Sequence, residues 1–409
     1  MKKIGVLGAG ITGVTTAYQL MNKGYDVTVF EAKRYAAMET SFANGGQLSA
    51  CNAEVWTNWK TIKKGLGWIL KKDAPLLFNL KPSIHKLKWI FSFMGNIPNH
   101  KTNTICTTKM AIESIVELNK ILKNENLHID LKKKGILHLV DNKENFQHCL
   151  KMNEWLKEGG LKRYPVTISE IKNIEPTLNV DKIYGGFYTK SDMTGDIHIF
   201  AKKLADICIK KGVKFNFSSW VKNISVCNKD IKIQFQKSEN LEIERFDSIV
   251  ICAGVNSKHF ADQIGDNVNI YPVKGYSITV MLNDIKSQST APNVSLLDDE
   301  AKIVTSRLGK NRLRIAGTAE FNGYNKDIRN DRIQPLINWC NKFFPEVSTE
   351  HCIPWTGLRP MTPSMMPKIG KGNHKRIYYN TGHGHLGWTL SAISSKLVSE
   401  KIERDDNLV

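Results

Sequence analysis

Apolar residues open the chain as a short run, Lys3–Leu7, followed by GAGITG at 8–13. A segment with helical spacing then covers 14–23 up to Gly24, and YDVTVF alternates toward Glu31. Helical side chains return to one face every 3.6 residues and strand side chains every two, so this pattern predicts strand, glycine turn, helix, strand. Residues 246–254 (FDSIVICAG) form an almost unbroken apolar strand ending in Ala253-Gly254, and 193–212 reads as a helix capped near Asp196 that feeds the strand VKFNF. Alternation over 130–140, 274–281 and 302–318 predicts strands of a mixed or antiparallel sheet. Near the C-terminus, Leu390, Ile393, Leu397 and Val398 keep one helical face, entered through Gly382, Gly384 and Gly387.

At 409 residues the chain exceeds the roughly 250–300 at which one core stops growing, so two domains are expected. The class is α/β with an α+β second domain. A discontinuous Rossmann-like cofactor-binding domain is drawn from 1–54, 187–262 and 364–409, and a substrate domain with a mixed or antiparallel sheet from 55–186 and 263–363. Hydrophobic content of 41% and charged content of 24% exclude a disordered chain. The net charge of +19 fits an acidic partner such as a membrane surface or nucleic acid, but lysine is spread along the whole chain and a general lysine bias explains it equally well. Eight cysteines without a C-x-x-C pair or zinc-like histidine spacing predict no metal and a reducing, cytoplasmic compartment. Met1-Lys2-Lys3 before an apolar run imitates a secretory signal, but the spacing of Gly8, Gly10 and Gly13 argues against one. No run reaches the roughly 18–20 apolar residues of a spanning helix, so any membrane contact is expected to be peripheral.

The glycines carry the first chemistry. Gly8 permits the tight turn, Gly10 lets a pyrophosphate approach the backbone at the positive end of the helix, and Gly13 lets helix and strand pack closely. Ile4, Val6, Leu7, Ala9, Ile11 and Thr12 complete that strand and turn and are expected cofactor contacts with it. Glu31, 23 residues after Gly8, is placed to accept hydrogen bonds from ribose hydroxyls and to repel a 2′-phosphate. This motif does not separate NAD from FAD. METSFANGGQL at 38–48 brings hydroxyls (Thr40, Ser41), amides (Asn44, Gln47) and bare backbone (Gly45, Gly46) before Leu48, suited to a flat ring or to an ordinary loop. Val221, Ala253 and Gly254 are further cofactor contacts. The segment Gly382, His383, Gly384, His385, Leu386, Gly387, Trp388, Thr389 tips the reading toward a flavin, since a helix N-terminus stabilises the negative charge a reduced flavin gathers. A second mononucleotide turn is the structural alternative.

Arg359 stands alone in the Pro/Gly-rigid turn WTGLRPMTP. Its planar fork suits a substrate carboxylate, and a structural ion pair is the other reading. Lys274 and Tyr276 of VKGY either face the ring or are ordinary strand residues. His383 and His385 either touch the ring or shape the turn. Residues 56–100 hold four of the nine tryptophans (Trp56, Trp59, Trp68, Trp89), with Phe91, Phe93 and eight lysines against one acid, Asp73. Such a block suits a lipid surface or a basic helical excursion packed on the substrate domain.

Taken in order, GAGITG, ETSFANGGQLS, TGDIHIF, YPVKGYSIT, WTGLRPMTP and NTGHGHLGWT resemble the glycine and D-amino acid oxidase family of FAD-dependent oxidoreductases, and within it the branch of bacterial D-amino acid dehydrogenase small subunits. The resemblance runs nearly end to end. It implies noncovalent FAD and oxidation of a small D-amino acid to an imino acid that water converts to 2-oxo acid and ammonia. It also implies electron transfer to a quinone or other respiratory carrier; if the Trp/Lys block at 56–100 docks on lipid, the chain would sit peripherally on the inner membrane. It assigns Arg359 to the substrate carboxylate. Relatives that oxidise glycine add a second arginine in the C-terminal turn and a tyrosine lid; here His385 and Lys302 stand at those positions. A soluble oxidase using oxygen on glycine, sarcosine or D-amino acids is the alternative. A basic flavoprotein acting on tRNA is the alternative of another class, although no RNA-binding module is visible and no nucleic acid is expected as a partner.

Overall fold

The structure, a computed structural model, describes residues 1–68, 75–79 and 81–408. Asp73 and the side chain of Trp68, both singled out above, lie outside the described residues.

Two large sheets organise the molecule. The first has six strands in the order Lys368–Lys371, Ile377–Thr381, Ser248–Ile251, Lys3–Leu7, Asp26–Phe30, Lys214–Asn216. All neighbours are parallel except the Lys368–Lys371 edge. Its central strands are buried on both faces, which explains the near-unbroken apolar runs of KIGVL and SIVI rather than alternation. The helices Ile11–Asn22, Ile197–Lys210 and Gly387–Asn407 cover one face, packing Val14, Phe200, Leu204 and Val398 against Val6, Val29 and Val250. On the other face lies a small antiparallel sheet, Ser219–Val226, Ile231–Lys237 and Asn240–Phe246, whose Ile233 and Phe235 pack against Leu7, Phe30 and Ile249. Asp196 caps its helix, accepting from His198 N and Ile199 N.

The second sheet is mixed. Its order is Cys352–Met361, Tyr271–Met281, Arg312–Phe321, Ile303–Leu308, Ser295–Asp298, Ile136–Val140, Gly185–Thr189, Tyr164–Val166, with Leu76–Phe78 added beside Arg312–Phe321. The stretch 302–318 is a hairpin, not one strand, broken by a turn at Gly309. We propose the division of the chain into a cofactor unit and a substrate unit along these sheets. Because Gly185–Thr189 pairs with Ile136–Val140 in the mixed sheet, the corresponding boundary falls after Thr189 rather than at 187. Among the described residues no helix is long and apolar enough to cross a membrane.

Candidate functional site

A cavity of about 890 Å³ opens between the sheets, lined at one end by the glycine turn and at the other by Arg359. At the glycine end the close approaches are real. Gly8 holds φ +99°, where an added Cβ would press to 2.8 Å from the Cys252 carbonyl, and a Cβ on Gly13 would overlap the Gly8 carbonyl oxygen. Ser41 Oγ accepts from Ile11 N (3.1 Å), so a polar group already occupies the helix N-terminus. Glu31 accepts from Ala9 N (2.7 Å) and Lys33 N (2.8 Å) and still lines the cavity; burial raises its carboxyl despite those bonds.

The loop after the second strand is held from several sides. Thr40 donates to the Leu358 carbonyl, Asn44 Oδ1 accepts from Gly46 N, and the buried Arg314 donates to the Asn44 carbonyl. Gln47 Nε2 donates to Ser295 Oγ and the Leu296 carbonyl, leaving Gln47 Oε1 buried without a partner. Asp192, 1% exposed, accepts from Ala50 N and Cys51 N and fixes the chain beyond.

At the other end Arg359 projects from Cys352–Met361 over Gly275, donating through Nη1 to the Thr318 carbonyl (2.8 Å). Burial pushes its guanidinium down to about 10, and among the described residues no carboxylate pairs with it. It keeps its proton at neutral pH, so the cavity contains an uncompensated cation. His385 stacks on Trp56 (centroids 4.8 Å apart, planes 16° apart). The Asn52 carbonyl lies 3.3 Å from His385 Nε2; a carbonyl only accepts, so Nε2 carries the proton and Nδ1 is a bare acceptor, buried and unpartnered. Burial, reinforced by Arg359 and Lys302, pushes His385 down to about 4, which keeps it neutral.

The model for the FAD-dependent oxidoreductase family called DAO matches residues 3–401. The chain belongs to this family. It is 54% identical over 412 residues to D-amino acid dehydrogenase 3 of Mesorhizobium japonicum, covering 99% of this chain and 98% of that one. It is 39% identical to D-amino acid dehydrogenase of Dechloromonas aromatica, covering 97% and 96%. The crystal structure of glycine oxidase from Bacillus cereus shares the fold, with TM-score 0.75 at 20% identity over 99% and 95% of the two chains.

This FAD-dependent oxidoreductase has the features a flavin nucleotide requires: turn glycines whose added Cβ atoms would fill the cradle, and orphaned buried polar atoms, Gln47 Oε1 and Trp388 Nε1, on residues lining the cavity. Of the expected contacts, Leu7, Gly8, Gly10, Ile11, Thr12, Glu31, Thr40, Ser41, Asn44, Gly45, Gly46, Gln47, Val221, Ala253, Gly254, Gly382, His383, Gly384, His385, Gly387 and Trp388 line it. Ile4, Val6, Ala9, Gly13, Leu48, Leu386 and Thr389 do not; they are buried behind it, where Thr389 Oγ1 accepts from Ser49 N. His383 is buried with Nε2 against Ser394 Oγ (2.9 Å), and burial lowers it to about 3.

Lys274 is corrected. Alternation along Tyr271–Met281 puts Gly275 on the Arg359 side and Lys274 and Tyr276 on the opposite one. Lys274 is wholly buried there, bonded to Asn325 Oδ1 (2.8 Å) and 3.3 Å from Glu320. Tyr276 borders the cavity, but its hydroxyl donates to Glu320 Oε2 (2.7 Å), and burial together with that bond raises its pKa. Neither polar head is available to a substrate. Sequence reasoning missed Trp56 as a cavity residue, and also Asp299 and Thr318.

Proposed function

We propose that this FAD enzyme oxidises D-amino acids to 2-oxo acids and ammonia and passes the electrons to a membrane-borne acceptor. The observation that carries it is Arg359, a desolvated cation that pairs with no carboxylate among the described residues, in the same cavity as the glycine cradle. FAD bound in that cradle supplies the two-electron acceptor for the hydride leaving Cα.

The residues account for the rest. Arg359 has one nitrogen on the Thr318 carbonyl, which fixes the guanidinium, and its remaining donors grip the substrate carboxylate. The substrate amine sheds its ammonium proton before the hydride departs. His385, held neutral, offers Nδ1 to the amine as a hydrogen-bond acceptor and not as the base that takes its proton. The D configuration follows the names of the relatives, and Arg359 enforces it by fixing which hydrogen of Cα faces the ring.

The acceptor reading is supported by the helix Ile84–Gly95. One face sends Trp89 and Phe93 to the interior, where Trp89 Nε1 donates to the Met361 carbonyl (2.8 Å) and both rings line the cavity. The other face exposes Ile84 (74%), Leu87, Phe91 (71%) and Met94, with Lys81 and Lys88 also at the surface. Exposed apolar side chains recurring along one face beside lysines suit an anionic lipid surface. A single helix therefore stands between the flavin cavity and the face we assign to the membrane. Trp89 and Phe93 belong to the packed core, so only part of the aromatic block is offered outward.

A steady-state panel of D- and L-amino acids tests the function, comparing reduction of a quinone-like dye with oxygen consumption. The expected result is dye-linked turnover of D-amino acids with little oxygen uptake. Turnover confined to L-amino acids would overturn it.

A further inference from the structure

We propose that Lys302 and Asp299 form a two-charge dock for the zwitterionic head of the substrate: Lys302 joins Arg359 on the carboxylate, and Asp299 meets the ammonium. This rests on the amino-acid reading above and adds to it the residues that select a free amino acid.

The pair lies in the Arg359 cavity. Lys302 Nζ stands 3.1 Å from Asp299 Oδ1, and although both residues sit deep in the molecule, 37% and 40% of their side chains open into the cavity they line. Lys302 also lies over the ring of Trp56, 6.0 Å from its centre, and Trp56 stacks on His385. His385 is neutral and brings no positive charge beside Arg359; Lys302, over the Trp56 ring that stacks on His385, does.

Backbone geometry ties the two cations together. Lys302 and Thr318 both adopt left-handed φ of 56°, a conformation that side chains other than glycine hold only when the surroundings impose it. They face each other across the hairpin: Thr318 N donates to the Lys302 carbonyl (3.3 Å), and the Thr318 carbonyl accepts from Arg359 Nη1 (2.8 Å). Gly317 allows this approach, since a Cβ there would lie 2.7 Å from the Lys302 carbonyl oxygen.

Asp299 is braced from behind. His138 Nε2 lies 3.1 Å from Asp299 Oδ2, and Arg163 Nη1 lies 3.1 Å from His138 Nδ1. A guanidinium only donates, so Nδ1 accepts from Arg163 and the imidazole proton sits on Nε2, which lies close to Asp299 Oδ2 without the geometry of a hydrogen bond. Arg163 is itself buried, donating to the Cys149 carbonyl (3.0 Å) over the Phe187 ring (4.8 Å). Burial favours the neutral acid, but Lys302 and His138 outweigh it and hold Asp299 as a carboxylate. Arg359, Lys302 and Asp299 thus bring two positive groups and one negative group to the same cavity, the complement of a carboxylate joined to an ammonium, beside the other charged residues of its wall, Lys33, Lys86, Lys326, Glu31, Glu39 and Asp298.

The test uses the flavin-loaded protein and two probes. Propionate, which carries the carboxylate without the amine, is titrated against the flavin absorption spectrum; D-alanine is followed by steady-state kinetics. Lys302→Met should weaken propionate about tenfold or more, the loss of a charge-assisted bond, and raise KM for D-alanine more than it lowers kcat, with Lys302→Arg restoring most of both. Asp299→Asn should raise KM for D-alanine about tenfold while leaving propionate binding unchanged or tighter, because Lys302 is freed. Flavin content and Tm of each variant separate binding from folding. Propionate affinity within twofold of wild type in Lys302→Met would overturn the assignment, as would equal weakening of propionate and D-alanine in Asp299→Asn. The propionate arm needs no turnover, so it is read independently of the amino-acid oxidation proposal.

Discussion

Gly275→Ala is the sharpest small perturbation of the proposed clamp. The backbone at Gly275 has no need of left-handed φ, so alanine is conformationally acceptable and gains about 0.5–1 kcal/mol of strand preference. The new Cβ, however, would stand 2.5 Å from Arg359 Cζ and 2.8 Å from Nη1, where ordinary contact begins at 3.4 Å. The guanidinium must therefore retreat by about 1 Å, and a displacement of that size at a reacting centre costs about 10²-fold, close to 3 kcal/mol of transition-state stabilisation. Because the displaced group is the far end of a flexible side chain, the fold yields cheaply. The expectation is a protein with full flavin content, a Tm within a few degrees of wild type, and kcat/KM for D-alanine lowered about 100-fold. Wild-type kcat/KM in Gly275→Ala would refute the contact, and loss of flavin or of folding would show that Gly275 serves the scaffold instead.

Three further outcomes are expected. Lys274→Met should lower stability by about 3 kcal/mol, since it strips a buried cation from Glu320, yet leave KM for D-alanine unchanged; a large KM effect without a Tm change would return Lys274 to the site. Burial pushes Asp192 up to about 6 from an ordinary 3.8, against the pull of the Cys51 and Ala50 N–H groups. The folded state therefore binds that proton more tightly than the unfolded chain, and the stability this confers is complete below about pH 4 and lost as pH rises through 6, about 3 kcal/mol in all. Asp192→Asn should flatten that segment of the Tm against pH curve, and an unaltered slope would contradict the assignment. Replacing Leu87 and Phe91 with glutamate should abolish flotation with anionic vesicles while soluble-dye turnover persists; unchanged flotation would remove the membrane face.

The fold was legible where local pattern and packing agree. Strand, turn and helix at 3–30 required only apolar spacing and three glycines, and the buried Ser248–Ile251 strand announced itself by lacking alternation. Arg359 was legible as the lone arginine of WTGLRPMTP, but the turn expected there is corrected: Trp355–Met361 belong to the strand Cys352–Met361, paired with Tyr271–Met281. Lys274 was misassigned because sequence shows that two polar residues flank Gly275 but not which face of the strand looks into the cavity; the pairing of Val273 with Arg359 decides that. The Asp299, His138 and Arg163 brace was invisible for a different reason: it joins three segments separated by up to 161 residues, and only the parallel pairing of Ser295–Asp298 with Ile136–Val140 brings the first two together. Ile4, Val6 and Thr389 were expected to touch cofactor because they flank residues that do, whereas a strand or helix next to a ligand sends alternate side chains into its own core.

The central claim is a flavin beside a guanidinium that holds one enantiomer of an amino acid by its carboxylate. Anaerobic mixing of the purified yellow protein with D-alanine or L-alanine, followed at the flavin band, tests it most directly, with Arg359→Ala alongside. The account predicts bleaching by D-alanine only, slowed about 10²–10⁴-fold in the variant because a buried carboxylate loses its partner. Bleaching by L-alanine, or equal rates in wild type and Arg359→Ala, would contradict it.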